Sequence, residues 1–385
     1  LAAKTSGFDA EKLEMSLLRW EQSYRNHPAA PERVEAIRAQ RSNLAISTGR
    51  IAVLLPMSGA YGEISRVVLD GLMAAQLGNP GNTTSVQVFD TANDPTDILS
   101  LYQRAVLDGA NLVIGPMNKD SVDLLAASNL SVPVIAMNYG TNASLANPNL
   151  FQFALLPDDE AAQAAERIAR DGLMRSVVFV PDNDWGKRVS AAFTGQFEAV
   201  GGSVVATGLF DPKKTDNSPV IRKALGVNDD KRREDVDAIF LAVTPKEGRL
   251  MKPLLRFHRA GDLPVYTTSH VFSGHEDRNA DIDLNGIRFT EIPWLTGDLP
   301  ASGPKPPTQE ELSENARQIP RLFAFGYDAF MLAPKVRQLA ASPLLKHEGL
   351  SGDIYSDSTN RLHRILRWAE FSRGLPKPLT SEGEY

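Results

Sequence analysis

The spacing of apolar residues changes twice between residues 233 and 274, and each change marks a different element. Residues 237–243 (DAIFLAV) form a short apolar run of the kind found in buried strands. Between residues 246 and 260, apolar positions recur every three or four residues, which places one set on a single helix face: Leu250, Met251, Leu254, Leu255 and His258. Gly261 ends this helix, and residues 263–269 (LPVYTTS) start a second strand. The segment is therefore a βαβ unit, which predicts a parallel sheet with functional loops after its strands.

Similar patterns predict two α/β series along the chain. The first has strands at 51–55, 86–89, 112–115 and 134–137, with amphipathic helices at 64–75 and 98–106. The second has strands at 177–180, 203–208, 238–243 and 265–268, with a further helix at 185–200. Two consecutive series of roughly equal size predict two lobes that face a cleft.

The two ends of the chain have different patterns. Residues 1–45 have helical spacing and no strand signal, so we predict a short helical segment that packs on the main body or on a further helical domain. After the second series we predict a strand at 286–294, a proline-rich surface loop at 299–308, a helix at 322–339 and short extended segments at 349–374. Pro334 should end or kink the last helix, because proline removes a helical hydrogen bond.

Composition and charge argue against several classes of protein and of functional site. A chain of 385 residues has enough apolar content for two or more cores. The net charge of −6 and the isoelectric point near 5.6 argue against a nucleic-acid binder, which usually carries a basic face. No run approaches the length of about 18 apolar residues needed to span a membrane. The absence of cysteine excludes disulfides, thiolate zinc sites and cysteine nucleophiles.

Three motifs carry candidate chemistry, and each has a structural alternative. Residues 56–62 (PMSGAYG) join the first predicted strand to its helix, where N–H groups favour an anion, but a tight glycine turn is the favoured explanation because such turns are common. His270 and His275 are potential metal ligands, but their spacing does not put both rings on one helix face. Surface or capping roles are therefore favoured for both. Asp182 and Asp184 form a carboxylate pair that helix capping explains better. No catalytic constellation appears, so we predict no enzyme activity and no cofactor or metal.

Several segments in order resemble the C-terminal domain of the LpoA-type penicillin-binding protein activators, which are outer-membrane lipoproteins. The matching segments include IAVLLPMSGAYGEISRVVLDG (51–71), GANLVIGPMNKDSV (109–122), PDNDWGKRVSAAF (181–193), the βαβ unit described above, DLNGIRFTEIPWL (283–295), FGYDAFML (325–332) and LSGDIYSDSTNRLHRILRWAEFSRG (350–374). The resemblance covers nearly all of residues 51–376. Residues 1–45 resemble the end of the helical-repeat region that precedes this domain in the family.

The resemblance implies a two-lobed type I periplasmic binding protein fold of the α/β class, with parallel sheets and a short helical segment before them. The expected divisions are a helical segment at 1–48, lobe 1 at 50–157 plus about 270–345, and lobe 2 at 158–269 plus about 350–385. By position, the ligand-contacting loops of that fold correspond here to candidate inter-lobe cleft residues: Ser58, Gly59, Tyr61, Asn118, Lys119, Asn138, Tyr139, Asp184, Trp185, Thr268, Ser269 and His270. No acidic residue among these loops is an obvious anchor for an α-amino group, so we expect no tight amino acid binding.

The function implied by the resemblance is non-enzymatic activation of a class A penicillin-binding protein. The activator would stimulate transpeptidation by direct contact, from the periplasmic side of the outer membrane, where a lipid on a preceding N-terminal segment would anchor it. Candidate partner contacts are basic residues of two exposed loops: Lys231, Arg232, Arg233 and Lys305. The alternative is a periplasmic solute-binding protein for an amino acid or similar small molecule. A lipobox and helical repeats upstream would favour the activator, and a plain signal peptide directly before Ile51 would favour the solute binder.

Overall fold

The structure, a computed structural model, describes residues 10–24, 46–78, 81–92, 95–142, 147–228, 231–299, 305–342 and 344–379. The strands are β1 (Arg50–Leu55), β2 (Ser85–Asp90), β3 (Leu112–Ile114), β4 (Val134–Ala136), β5 (Leu150–Phe153), β6 (Arg175–Pro181), β7 (Ser203–Phe210), β8 (Ala238–Leu241), β9 (Val265–Thr267), β10 (Ile287–Glu291), β11 (His347–Glu348), β12 (Asp353–Ser356), β13 (Arg361–Ile365), β14 (Arg367–Ser372) and β15 (Leu375–Pro378). The α-helices are α1 (Ala10–Ser23), α2 (Gly62–Leu77), α3 (Ile98–Leu107), α4 (Lys119–Ala126), α5 (Pro157–Arg170), α6 (Asp184–Ala199), α7 (Ser218–Ala224), α8 (Pro245–Leu255), α9 (Pro293–Thr296), α10 (Glu314–Gln318), α11 (Pro320–Leu332) and α12 (Val336–Ala340).

These elements form two compact units, each with its own sheet. Unit 1 comprises Leu1–Leu155 and Leu299–Arg364, and unit 2 comprises Leu156–Asp298 and Ile365–Tyr385. The unit 1 sheet has eight strands in the order β11-β12-β13-β5-β4-β3-β1-β2, and the unit 2 sheet has seven in the order β15-β14-β10-β9-β8-β6-β7. The predicted α/β class with parallel sheets is confirmed.

The centre of the unit 1 sheet is parallel and buried on both faces. Strand β1 pairs in parallel with β2 and β3, and its residues 51–55 are almost fully buried, as expected for a continuous apolar run in a parallel sheet. One face of the sheet packs on α3 and α4 through Ile98, Tyr102 and Val122. The amphipathic spacing of these two helices therefore reflects burial against the sheet.

Helices α2 and α11 of unit 1 pack unusually closely, and glycines make the approach possible. A Cβ on Gly71 of α2 would lie 2.0 Å from the carbonyl oxygen of Phe323, and one on Gly326 of α11 would lie 1.9 Å from the carbonyl oxygen of Val68. Since both neighbours are backbone atoms, neither can rotate out of the way. Two glycines, one on each helix, thus set the distance between the helices.

The unit 2 sheet has helices on both faces and aromatic rings in its core. Helices α5 and α6 contribute to a cluster that includes Phe193, which stacks on Phe240 of β8 with ring centroids 4.2 Å apart. Helices α7 and α8 contribute to a second cluster, where Phe289 of β10 stacks on Phe371 of β14 at 4.8 Å. Strands β6 to β10 pair in parallel, and β14 and β15 extend the sheet antiparallel.

The end of helix α8 is irregular. The helix starts with a capping box between Thr244 and Glu247 and contains Pro253 in its interior. It continues at Arg256–Ala260 into a wider π-type turn, in which Arg259 has a positive φ of 64°. A residue with a β-carbon is strained in this conformation, so neighbouring contacts must hold the turn in place.

The chain crosses between the units three times, and the second and third crossings lie at different places from those expected. The first crossing follows Leu155, whereas the second follows Asp298 and the third follows Arg364, rather than lying near Ser269 and near residues 345–350. Residues 270–298 belong to unit 2 because β10 pairs with β9 and β14. Residues 350–364 belong to unit 1 because β13 pairs with β5.

Other predicted elements differ in smaller ways. The helix predicted at 322–339 is two helices, α11 and α12, on either side of Pro334, as the proline predicted. The predicted helical segment at the N-terminus contains α1, while its second half, residues 25–45, lies outside the described residues, as do residues 300–304 of the proline-rich loop.

Candidate functional site

The turn after β1 carries three of the predicted cleft residues, Ser58, Gly59 and Tyr61, all exposed. The N–H groups of Met57 and Ser58 donate to the Asp90 carboxylate at the end of β2, at 2.9 and 3.3 Å. Partial burial raises the pKa of Asp90, but hydrogen bonds from Ala92, Ser58 and Met57 outweigh this effect and leave the pKa below its ordinary value. The anion that this turn binds is therefore a carboxylate of the chain itself.

The next predicted residues, on the loops after β3 and β4, have internal roles as well. Asn118 caps helix α4 by accepting hydrogen bonds from the N–H groups of Asp120 and Ser121, at 2.8 and 3.3 Å, and Lys119 follows it as an exposed first residue. The Asn138 amide donates to the Met117 carbonyl at 2.9 Å. Asn138 therefore has fewer hydrogen-bonding groups left for a ligand.

Tyr139 is buried, and its polar group is used within unit 1. The hydroxyl donates to the Leu362 carbonyl at 2.9 Å, and the Arg361 guanidinium lies 5.1 Å above the ring centroid. The ring also meets His363 edge-on at 6.0 Å. Tyr139 thus fastens the loop after β4 to strand β13.

In unit 2 the loop after β6 is a helix cap. The Asn183 side chain accepts from the Gly186 N–H at 2.8 Å, and the flanking Asp182 and Asp184 are exposed. Asp182 lies 3.8 Å from the Lys187 ammonium. The capping interpretation is confirmed, although the cap is the asparagine between the two acids.

The loop after β9 brings together the remaining predicted residues. Thr268 and Ser269 are buried, and Thr268 Oγ1 lies 3.3 Å from Nδ1 of His270. The His270 ring packs against Trp185 with centroids 5.2 Å apart, so residues from two loops of the prediction do meet within unit 2.

A buried carboxylate that the sequence analysis missed holds this loop. Glu160 of α5 accepts hydrogen bonds from the Ser269 N–H at 2.8 Å, the Ser269 hydroxyl at 3.1 Å and the Thr290 hydroxyl at 3.3 Å. The sequence does contain a signal for this residue. Glu160 lies beside Ala161 and Ala164 on the buried alanine face of α5, and an ionisable residue on a buried face needs polar partners.

The four basic residues predicted to contact a partner differ in whether their charges are paired with acids of the chain. Lys231 and Lys305 are exposed. Arg232 donates to the Arg259 carbonyl at 2.8 Å and pairs with Asp262 at 2.6 Å. Arg233 makes a two-point contact with Asp235, at 2.7 and 2.8 Å. The two arginines therefore brace the surface of unit 2 and present little uncompensated charge.

Unit 1 contains a second buried polar cluster that the sequence analysis missed, around Asp328 of α11. The carboxylate accepts from the N–H groups of Leu350 and Ser351, at 2.9 and 2.7 Å, and from the Ser351 hydroxyl. Burial raises the pKa of Asp328 to about 6 despite these hydrogen bonds. Nearby, Lys335 Nζ lies 3.3 Å from Nδ1 of His347, and burial lowers the pKa of both groups. The cluster fastens the chain around β11 to α11 and α12.

Neither a cluster of potential metal ligands nor a membrane-spanning helix is found in the part of the chain that the structure describes. Its histidine, aspartate and glutamate side chains form no group of three or more that could hold a metal ion. No helix there combines the length and the apolar character that a membrane span requires.

Comparison with known protein families gives one match across most of the chain. The model of the LppC putative lipoprotein family matches residues 1–374. The penicillin-binding protein activator LpoA of Yersinia pseudotuberculosis is 25% identical over an alignment of 456 residues, which covers 96% of this chain and 67% of that protein. The protein of the same name from Dickeya chrysanthemi is 31% identical, and the alignment covers 81% of this chain and 49% of that protein. The chain spans about half to two thirds of the length of these relatives.

Solved structures share the fold. The C-domain of Haemophilus influenzae LpoA, described as a regulator of PBP1A, superimposes with a TM-score of 0.72 at 24% identity, covering 86% of this chain and 100% of that one. A putative branched-chain amino acid ABC transporter protein from Chromobacterium violaceum gives 0.67 at 30% identity, covering 84% and 99%. These similarities place the chain among proteins with the predicted periplasmic-binding-protein-like fold.

Proposed function

This chain belongs to the LppC family of putative lipoproteins, and from that premise we propose that it is a non-enzymatic activator of a class A penicillin-binding protein. The observation that carries the proposal is the extent of the similarity: the family model spans residues 1–374, and relatives named as activators align with 96% of the chain. The similarity of its fold to a domain described as a regulator of PBP1A supports the same class of partner.

The described geometry is compatible with action through contact. Polar side chains fix loops within each unit: Asp90, Asn118 and Asn138 near the ends of strands, and Glu160 on helix α5. Loops held by internal hydrogen bonds present a defined surface, and partner binding commonly uses loops on a rigid scaffold. The activator would alter the synthase by binding to it and stabilising its active state.

We further propose that the full-length protein acts in the periplasm, attached to the outer membrane by an N-terminal lipid. The support is the family itself, whose description is that of a lipoprotein. Metabolic labelling of the full-length protein with a radioactive fatty acid tests this proposal. Incorporation that depends on a lipobox cysteine is expected, and its absence would remove the anchor from the proposal.

The proposed activity is tested by peptidoglycan synthesis from lipid II. A purified class A synthase from the same organism is assayed with and without this chain, and peptide crosslinks are quantified by chromatography of the digested product. We expect complex formation and a higher crosslinked fraction at saturating chain, with no product when the synthase is left out. No complex and an unchanged crosslinked fraction would refute the proposal.

Solute binding is a second candidate function, because a putative branched-chain amino acid transporter protein is 30% identical to the chain. A bound amino acid needs charge partners for its ammonium and its carboxylate. In this chain the N–H groups of the β1 turn already bind Asp90, and the Asn118 oxygen caps α4. We therefore expect isothermal titration with leucine, isoleucine and valine to give no heat of binding. Micromolar affinity for any of them would favour the solute-binding function.

A further inference from the structure

A cavity of about 630 Å³ opens in unit 2 at the amino ends of β9 and β10. The loop that contains Thr268 follows the other, carboxyl end of β9. Its lining includes Lys252, Arg256, Ile282, Asp283, Arg288 and Glu370. Ligand sites of parallel sheets usually lie at the carboxyl ends of the strands. This cavity is therefore separate from the loops considered above.

Two of the cations on the cavity lining form no ion pair with the described residues. Arg288 pairs with Glu370 at 3.0 Å and with Asp171 at 3.4 Å. Lys252 lies on α8 and Arg256 directly follows the helix, one turn further along. Neither forms an ion pair with a described residue, and among the acids of the lining the same holds for Asp283. Lys252 is half-buried, and loss of water lowers its pKa, with Glu370 partly opposing the effect. A carboxylate brought to this edge would restore the interactions that the ammonium has lost.

Beside these cations the chain displays a large aromatic side chain. Phe257 directly follows Arg256 and is 77% exposed, the highest exposure of an aromatic side chain among the described residues. Ile282 on the cavity lining is 48% exposed. Aromatic side chains, phenylalanine among them, and arginine are enriched at protein interfaces.

The turn that carries Phe257 is held in shape by contacts from outside the helix. Arg259, two residues later, has the strained positive φ, and Arg232 donates to its carbonyl at 2.8 Å while also pairing with Asp262, which lines the cavity. Strain of this kind persists where surrounding contacts enforce it, and it clusters at binding sites. Arg232 thus contributes to holding this turn in shape.

From these observations we infer that Lys252, Arg256, Phe257 and Ile282, here named the Phe257 surface, form the docking surface for an acidic protein segment. The inference rests on the proposed function and assigns the partner segment to the synthase. Carboxylates of the segment pair with the two cations, and Phe257 enters an apolar pocket of the partner. The complementarity to an acidic segment lies in Lys252 and Arg256, two cations without an ion pair, beside the exposed ring of Phe257.

The test measures the affinity of this chain for the purified synthase by surface plasmon resonance. Phe257→Ala removes the ring, and the double variant Lys252→Glu, Arg256→Glu reverses the charge. Matched controls are Leu107→Ala, an apolar side chain that is 86% exposed in unit 1, and Lys213→Glu, an exposed lysine of unit 2. Circular dichroism melting curves verify that every variant is folded.

We expect Phe257→Ala to weaken binding about thirtyfold, the loss typical of an interface hot spot. The charge reversal should weaken binding at least about tenfold at low salt and less at high salt, because salt screens exposed charges. The controls should bind like the parent chain. If the parent binds and both Phe257-surface variants bind equally well, the inference is wrong while the proposed function stands. If the parent itself does not bind, both are refuted.

Discussion

The close packing of α2 on α11 leads to a quantitative prediction for Gly71→Ala. The added methyl would lie 2.0 Å from the Phe323 carbonyl oxygen and 2.9 Å from the Tyr327 nitrogen, both backbone atoms. The helices would have to separate by about 1 Å, and overpacking of this kind costs about 1–3 kcal/mol. We take the upper end of that range because the obstructing atoms cannot rotate away.

A matched substitution isolates the effect of packing from that of helix propensity. Gly195 lies inside α6 and is exposed, and a methyl group added there would have no neighbouring atom within 4 Å. Alanine is favoured over glycine in a helix by about 1 kcal/mol, so Gly195→Ala should stabilise unit 2 by about 0.5–1 kcal/mol. The same gain applies at Gly71, which leaves a net destabilisation of unit 1 by about 2 kcal/mol.

Urea unfolding followed by circular dichroism measures both variants, and native-state hydrogen exchange of the α2 and α11 amides assigns the change to unit 1. The two alanine substitutions should move the free energy of unfolding in opposite directions. A Gly71→Ala protein as stable as the parent would refute the inference that the two helix backbones are in contact.

Substitutions at two further residues test polar side chains that hold unit 1 together. Asn118→Ala should lower the free energy of unfolding by about 1 kcal/mol through loss of the α4 cap, and Asn118→Asp should restore most of it; equal stability of all three chains in urea unfolding would contradict the capping role. For Asp328, the folded pKa of about 6 lies above the ordinary value of 3.8, so its stabilising contribution is present at pH about 4 and is lost as the pH rises through about 6. Across this range Asp328→Asn should remove about 3 kcal/mol of pH dependence, and a curve of stability against pH parallel to that of the parent would exclude this role.

The sequence predicted those parts of the fold in which a local pattern decides the structure. The run at 51–55 is apolar at every position, and β1 lies there. Pairing between distant segments was not predictable in this way. The strand expected at 286–294 exists as β10, but its place in unit 2 depends on β9 and β14, and no pattern within the strand itself carries that information.

The candidate site shows the same limit at the level of side chains. Sequence position located the loops correctly, since Asn118, Asn138 and Ser269 each lie just after a strand. The partners of their polar atoms remained hidden, because Glu160 reaches Ser269 across 109 residues of chain. The pattern therefore identified where loops lie, whereas three-dimensional packing determined which of their groups remain open to a partner.

The order of strands in the unit 1 sheet has a consequence for biosynthesis. Strand β5, whose four residues are buried, has β13 as its neighbour, and β11 to β13 are all made after residue 346. Before these last strands have paired, unit 1 carries an open, apolar strand edge of the kind that recruits other chains into aggregates. A premature stop before β11 should therefore yield an insoluble product instead of a shorter working unit.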